Sequence, residues 1–122
     1  MLVSETIYFL QLNLRQCQSA SALLNQQIAW LDTVIAVVQE PWTNKGKILG
    51  LSLQSKGSCL FRGINNNNPR TCIVTKGVRA MCLPQFCDKD ITTVSITHTV
   101  QNKEQTVIVS SVYMVMEISH LL

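Results

Sequence analysis

Between Ile7 and Leu14 the chain alternates, with Tyr8, Leu10, Leu12 and Leu14 on one side of a period-two pattern and Phe9, Gln11 and Asn13 on the other. This predicts a strand that ends at Asn13. Downstream, Ala20, Leu24, Ile28 and Leu31 recur at helical spacing, while Asn25, Gln26 and Gln27 supply a polar side and Ser19 a candidate cap. A helix is predicted there, its apolar stripe turned toward a sheet. The stretch from Thr33 to Gln39 is β-branched and almost wholly apolar (Val34, Ile35, Val37, Val38), the pattern of a strand buried on both faces. Strand, helix and strand in this order most often form a parallel pair joined by a right-handed crossover, which brings both strand ends to one sheet edge. Asn13 and Glu40 are therefore expected to be neighbours.

After Pro41 the pattern breaks into short apolar pieces punctuated by Asn44, Gly46, Gly50, Gly57 and Gly63, and the asparagine run from Asn65 to Asn68 before Pro69 reads as a loop. Strands are predicted at Ser58–Arg62, Thr71–Thr75, Met81–Leu83, Ile91–His98 and Gln105–Tyr113, the last two joined by a hairpin around Asn102 and Lys103. One helix and a series of strands without a repeat or linker predict a single α+β domain over 1–122, a layered α/β sandwich. No second helix is predicted up to Met116–Leu122, so the sandwich is expected to be truncated.

Composition narrows the classes. Of 122 residues 47% are hydrophobic and 14% charged, which excludes a disordered chain. The longest apolar run, Val34–Val38, is far below the ~20 residues a membrane helix needs. The opening residues lack the basic and apolar regions of a secretory signal, so nuclear or cytoplasmic residence is expected and a membrane partner is not. Five cysteines, Cys17, Cys59, Cys72, Cys82 and Cys87, are irregularly spaced and form no CxxC pair. They read as reduced core thiols, and neither His98 nor His120 lies at finger-like spacing from Cys82 and Cys87.

The net charge of +3 is uneven. Lys45, Lys47, Lys56, Arg62, Arg70, Lys76 and Arg79 all lie between Pro41 and Cys87, where there is no acid, and the other three cations share the remainder with all seven acids. Clustered cations suit a polyanion such as DNA, through release of counterions from its phosphates. Solvating loop charges account for the same residues equally well. This basic segment supports one function class, a non-catalytic nucleic-acid-binding module.

Three residues carry candidate chemistry. Glu40 follows a buried strand and precedes Pro41, which stops further pairing. One carboxylate with waters and substrate phosphate is a common way of holding Mg²⁺; the plain alternative is a solvated loop acid. Asn13 can lend an amide oxygen to the same metal shell, or simply start a turn. Tyr113 can donate to a phosphate oxygen, or simply pack as strand tyrosines do.

The segments Leu10-Gln11-Leu12-Asn13-Leu14-Arg15, Ser19-Ala20, Val37-Val38-Gln39-Glu40-Pro41-Trp42, Gly46-Lys47-Ile48, Pro69-Arg70, Gln85-Phe86-Cys87 and Ser110-Ser111-Val112-Tyr113 resemble, in this order, the N-terminal part of a known domain. It is the apurinic-type endonuclease of non-LTR retrotransposons, in the endonuclease/exonuclease/phosphatase superfamily. The resemblance implies a four-layered α/β sandwich that hydrolyses DNA phosphodiesters with Mg²⁺ and nicks a target to prime reverse transcription. It implies Glu40 as the metal-binding glutamate, Asn13 beside it and Tyr113 on the scissile phosphate. Arg15, Lys45, Lys47 and Arg70 are candidate substrate contacts.

The family's Gly-Asp-Phe-Asn and Ser-Asp-His motifs are absent, His98 and His120 lie in other contexts, and Asp88 and Asp90 precede the tyrosine strand instead of following it. General acid–base assistance alone supplies ~10²–10⁴-fold in rate. The expectation is thus an N-terminal half-domain without nuclease activity of its own, with DNA and either the missing C-terminal half or a reverse transcriptase domain as partners.

Overall fold

The computed structural model describes residues 6–51, 57–63 and 68–114. Strand β1 (Tyr8–Asn13), helix α1 (Gln18–Trp30) and strand β2 (Val34–Gln39) open the chain, and β1 and β2 pair in parallel with Asn13 opposite Gln39. There follow β3 (Thr43–Asn44), β4 (Lys47–Ile48), β5 (Ser58–Phe61), β6 (Thr71–Lys76), β7 (Arg79–Cys82), a 3₁₀ turn at Pro84–Phe86, β8 (Ile91–Val100) and β9 (Lys103–Val112). One sheet has the order β1-β2-β6-β5, a second the order β7-β8-β9, and β3 and β4 form a small hairpin.

The continuous apolar run of β2 explains the layering, because every face of it is used. Val34, Ala36 and Val38 pack with Leu24 and Ile28 of α1 and with Cys72 and Val74 of β6. Ile35 and Val37 point the other way, onto Ile73, Val94 and Ile96 between the two sheets. Each valine, leucine or isoleucine among them contributes roughly 1.5–3 kcal/mol when removed from water. Helix, sheet and sheet thus make three layers among the described residues. The helix stripe holds as expected, with Leu24 and Ile28 buried and Ala20 and Leu31 partly so. Lys76 Nζ donates to the carbonyls of Ile28 (3.1 Å) and Ala29 (3.4 Å), placing a cation at the negative end of the helix.

A buried polar seam joins the sheets at one end. Thr71 Oγ1 lies 2.9 Å from Thr92 Oγ1, Ser111 Oγ donates to the Val38 carbonyl (2.8 Å), and Gln39 Nε2 donates to Ser111 Oγ (3.0 Å). These hydroxyls are sealed from solvent, so each bond is costly to break.

Several expectations shift. The helix starts after Cys17, not Ser19: Cys17 has the extended backbone of a cap but no side-chain cap bond. The β8–β9 hairpin is longer than expected, and its turn is Gln101–Asn102, both left-handed, with Lys103 already in the strand. The β7 strand begins at Arg79, because it follows the long β8 edge from Thr97 onward. The cysteines are not all core thiols: Cys72 is buried, Cys82 and Cys87 are half-buried, and Cys17 and Cys59 are exposed. Exposure follows strand position, with Cys59 on the edge strand β5 and Cys72 in the centre. Lys56, Asn65–Asn67 and Met116–Leu122 lie outside the described residues. No helix among the described residues is long and apolar enough to cross a membrane.

Candidate functional site

The parallel register places the ends of β1 and β2 side by side. Leu14 N donates to the Gln39 carbonyl (2.9 Å) and Gln16 N to the Glu40 carbonyl (2.8 Å), so the chain leaving β1 is tied directly to the residue after β2. Asn13 Oδ1 accepts the Arg15 amide at 2.8 Å, an Asx turn that stabilises the left-handed Arg15 and Gln16 (φ 50° and 54°). The turn role of Asn13 is thus realised, and its second lone pair remains. Arg15 is exposed on that turn. Glu40 is itself left-handed (φ 49°), an uncommon state for a residue with a side chain, and Pro41 behind it is buried. Among the described residues nothing pairs with the Glu40 carboxylate.

Glu40 N donates to the Arg70 carbonyl (2.8 Å), which brings in the start of β6. The Arg70 guanidinium lies over the Tyr113 ring, 5.0 Å from its centre, and Arg70 Nε is 3.2 Å from Asp90 Oδ1. That oxygen is closed off from solvent and accepts no aligned hydrogen bond, so its link to Arg70 is Coulombic. With both side chains more than a third exposed, the pair contributes at most about 1 kcal/mol. Tyr113 N donates to the Asp90 carbonyl (2.8 Å) and Arg70 N to the Lys89 carbonyl (2.7 Å). Asn13, Glu40, Arg70, Asp90 and Tyr113 therefore share one edge of the sandwich.

Asp90 was not among the sequence-derived candidates. Its local signal was present, since Asp88 Oδ1 accepts the Asp90 amide (2.7 Å) in an Asx turn before the β-branched strand β8. That this turn abuts the start of β6 depends on how the two sheets stack, which spacing along the chain does not show.

The cations divide. Lys45 and Lys47 sit on the exposed β3–β4 hairpin that leaves the site after Pro41, where Lys45 and Gly46 (φ 52° and 78°) form the two-residue turn. Asn68 Oδ1 accepts the Gly46 amide (2.6 Å) and Arg62 donates to the Gly46 carbonyl, fixing the hairpin to the strand entry at Arg70. Lys76, by contrast, pairs with Val34 at the opposite end of β2, and Arg79 lies on β7 bonded to Glu104. The expected basic face over 41–87 is thus split, because β6 crosses the whole sheet between Arg70 and Lys76. Among the described residues no group of three His, Cys, Asp or Glu side chains converges. A carboxylate and an amide oxygen are nevertheless the hard donors Mg²⁺ accepts, together with waters and phosphate oxygens.

This layered α/β fold has a counterpart among solved structures. The chain is similar to the endonuclease domain of TRAS1, a telomere-specific non-LTR retrotransposon, with a TM-score of 0.57 and 20% sequence identity over 88% of this chain and 44% of that one. The layered α/β fold expected from the sequence is therefore observed, as three layers among the described residues, and the chain spans less than half the length of that domain. No protein-family model and no curated protein matches the sequence.

Proposed function

We propose that the chain carries the metal-ligating and phosphate-contacting half of a Mg²⁺-dependent DNA endonuclease site. Glu40 and Asn13 hold the divalent ion, Tyr113 donates to the scissile phosphate, and Arg15, Lys45, Lys47 and Arg70 contact the DNA backbone. The observation that carries this reading is the wiring at one edge: Gln16 to Glu40 and Glu40 to Arg70 through the main chain, and the Arg70 side chain over Tyr113. When bound, the metal would polarise the phosphate and offset its charge. The Arg70 fork would take a second phosphate oxygen, and its stacking on Tyr113 limits the ring to one orientation. With neither the Gly-Asp-Phe-Asn nor the Ser-Asp-His motif in the sequence, the chain binds DNA but does not cut it.

The test is a salt series of DNA binding with paired charge reversals. Reversing Lys45, Lys47 and Arg70 together should weaken binding and flatten its salt dependence by roughly one unit of slope per lost contact, while reversing Lys76 and Arg79 leaves it near the parent value. Equal losses from both sets would favour the second reading, a diffuse nucleic-acid-binding module without a site. Purified chain with Mg²⁺ should leave supercoiled plasmid intact; nicking that vanishes in Glu40→Ala would show the chain to be a complete enzyme.

A further inference from the structure

On the segment that leads to Asp88 and Asp90, two thiols touch. Cys82 ends β7, Cys87 follows the 3₁₀ turn, and their sulfurs are 3.6 Å apart. The turn between them is tightly built: Phe86 N donates to the Leu83 carbonyl (3.0 Å), Cys87 N to the Pro84 carbonyl (3.1 Å), and Thr93 Oγ1 to the Phe86 carbonyl (2.9 Å). Thr93 N donates to Cys87 Sγ at 3.3 Å, and a cleft of ≈ 580 Å³ lined by Phe86, Cys87, Thr93 and Ile108 gives small molecules access to this sulfur. We propose that Cys82 and Cys87 form a reversible dithiol–disulfide site whose oxidant is a low-molecular-mass disulfide. The proposal does not depend on the nuclease reading.

The chemistry balances as two exchanges. Cys87 attacks the small disulfide, forming a mixed disulfide and releasing one small thiolate. Cys82 then attacks the Cys87 sulfur and expels the second, so that two protein thiols are oxidised and one disulfide is reduced to two thiols, which take up the two protons. Disulfide formation closes the 3.6 Å gap between the sulfurs to about 2 Å. Cys87 lines the cleft and Cys82 does not, which makes Cys87 the first attacker and Cys82 the resolving group; burial, then the neighbouring Cys87 sulfur, pushes the Cys82 thiol up to about 11. The closed bond would staple β7 to the segment that leads into Asp88 and Asp90.

The experiment uses the whole native chain in graded ratios of reduced to oxidised glutathione, quenched with acid, alkylated and digested with trypsin. Cleavage at Arg79 and Lys89 leaves both cysteines in one peptide. The expected result is that this peptide loses two hydrogens and resists alkylation, with a midpoint about tenfold more reducing than in denaturant, a difference of about 30 mV. Phenylarsine oxide, which bridges two adjacent thiols, should protect the same peptide of the unmutated native chain from alkylation. In Cys82→Ser, Cys87 should accumulate as its glutathione adduct. Free or singly modified Cys82 and Cys87 under conditions that oxidise Cys17 or Cys59, or no arsenical protection in the native chain, would overturn the proposal.

Discussion

Glu40 concentrates what is unusual here at the scale of one residue. A non-glycine residue in the left-handed region costs of order 1–3 kcal/mol, yet the position is held by Gln16 N, the Arg70 carbonyl and the buried Pro41. Strain kept at a residue with no described partner for its carboxylate points to use of that side chain beyond folding. Glu40→Gly should therefore stabilise the chain by about 0.5–1 kcal/mol in urea unfolding, whereas Glu40→Ala, which retains the Cβ, should not. A loss of stability in both variants would make the carboxylate a structural group. The proximity of Asn13 and Glu40 was legible in the sequence, because a short crossover between two strands fixes which ends meet. The place of Asp90 was not: it depends on contacts between the sheets, such as Thr71 with Thr92, and a pair of buried threonines 21 residues apart carries no pattern of its own.

At the scale of elements, long periodic or wholly apolar segments were read well and short ones were not. β2 and β6 are buried almost throughout and appear in the sequence as β-branched runs. The β3–β4 hairpin has two residues per strand, too few to show alternation, and only its Asn-Lys-Gly turn signalled it. The helix start was misplaced because Ser19 is the stronger capping residue, while the extended backbone falls on Cys17 (φ −102°, ψ 128°). Cys17 leaves the first turn without a side-chain acceptor, and that turn has no acid. Replacing it supplies both, so Cys17→Asp should raise stability by about 0.5–2 kcal/mol in thermal or urea unfolding. An unchanged midpoint would place the functional cap elsewhere.

At the scale of the molecule, the described residues form a sandwich with open edges. Among the described residues β1 and β9 each border their sheet on one side only, and large apolar side chains stand out nearby, with Trp30 82%, Ile108 67% and Phe9 57% exposed. Open strand edges beside apolar surface favour association. The chain should therefore self-associate with rising concentration in sedimentation velocity, and Trp30→Lys with Ile108→Lys should shift it toward monomer; an unchanged distribution would mean these surfaces are inert. The layered α/β architecture was legible in the order of strands around a single helix. The described residues build one edge where Asn13, Glu40, Arg70 and Tyr113 meet. Titration of the isotopically labelled native chain with Mn²⁺, a paramagnetic stand-in for Mg²⁺, tests that most directly. Amide signals around Asn13 to Gln16, Glu40, Arg70 and Tyr113 should broaden first, and the effect should disappear in Glu40→Gln. Broadening centred elsewhere, or unchanged by that substitution, would contradict the account.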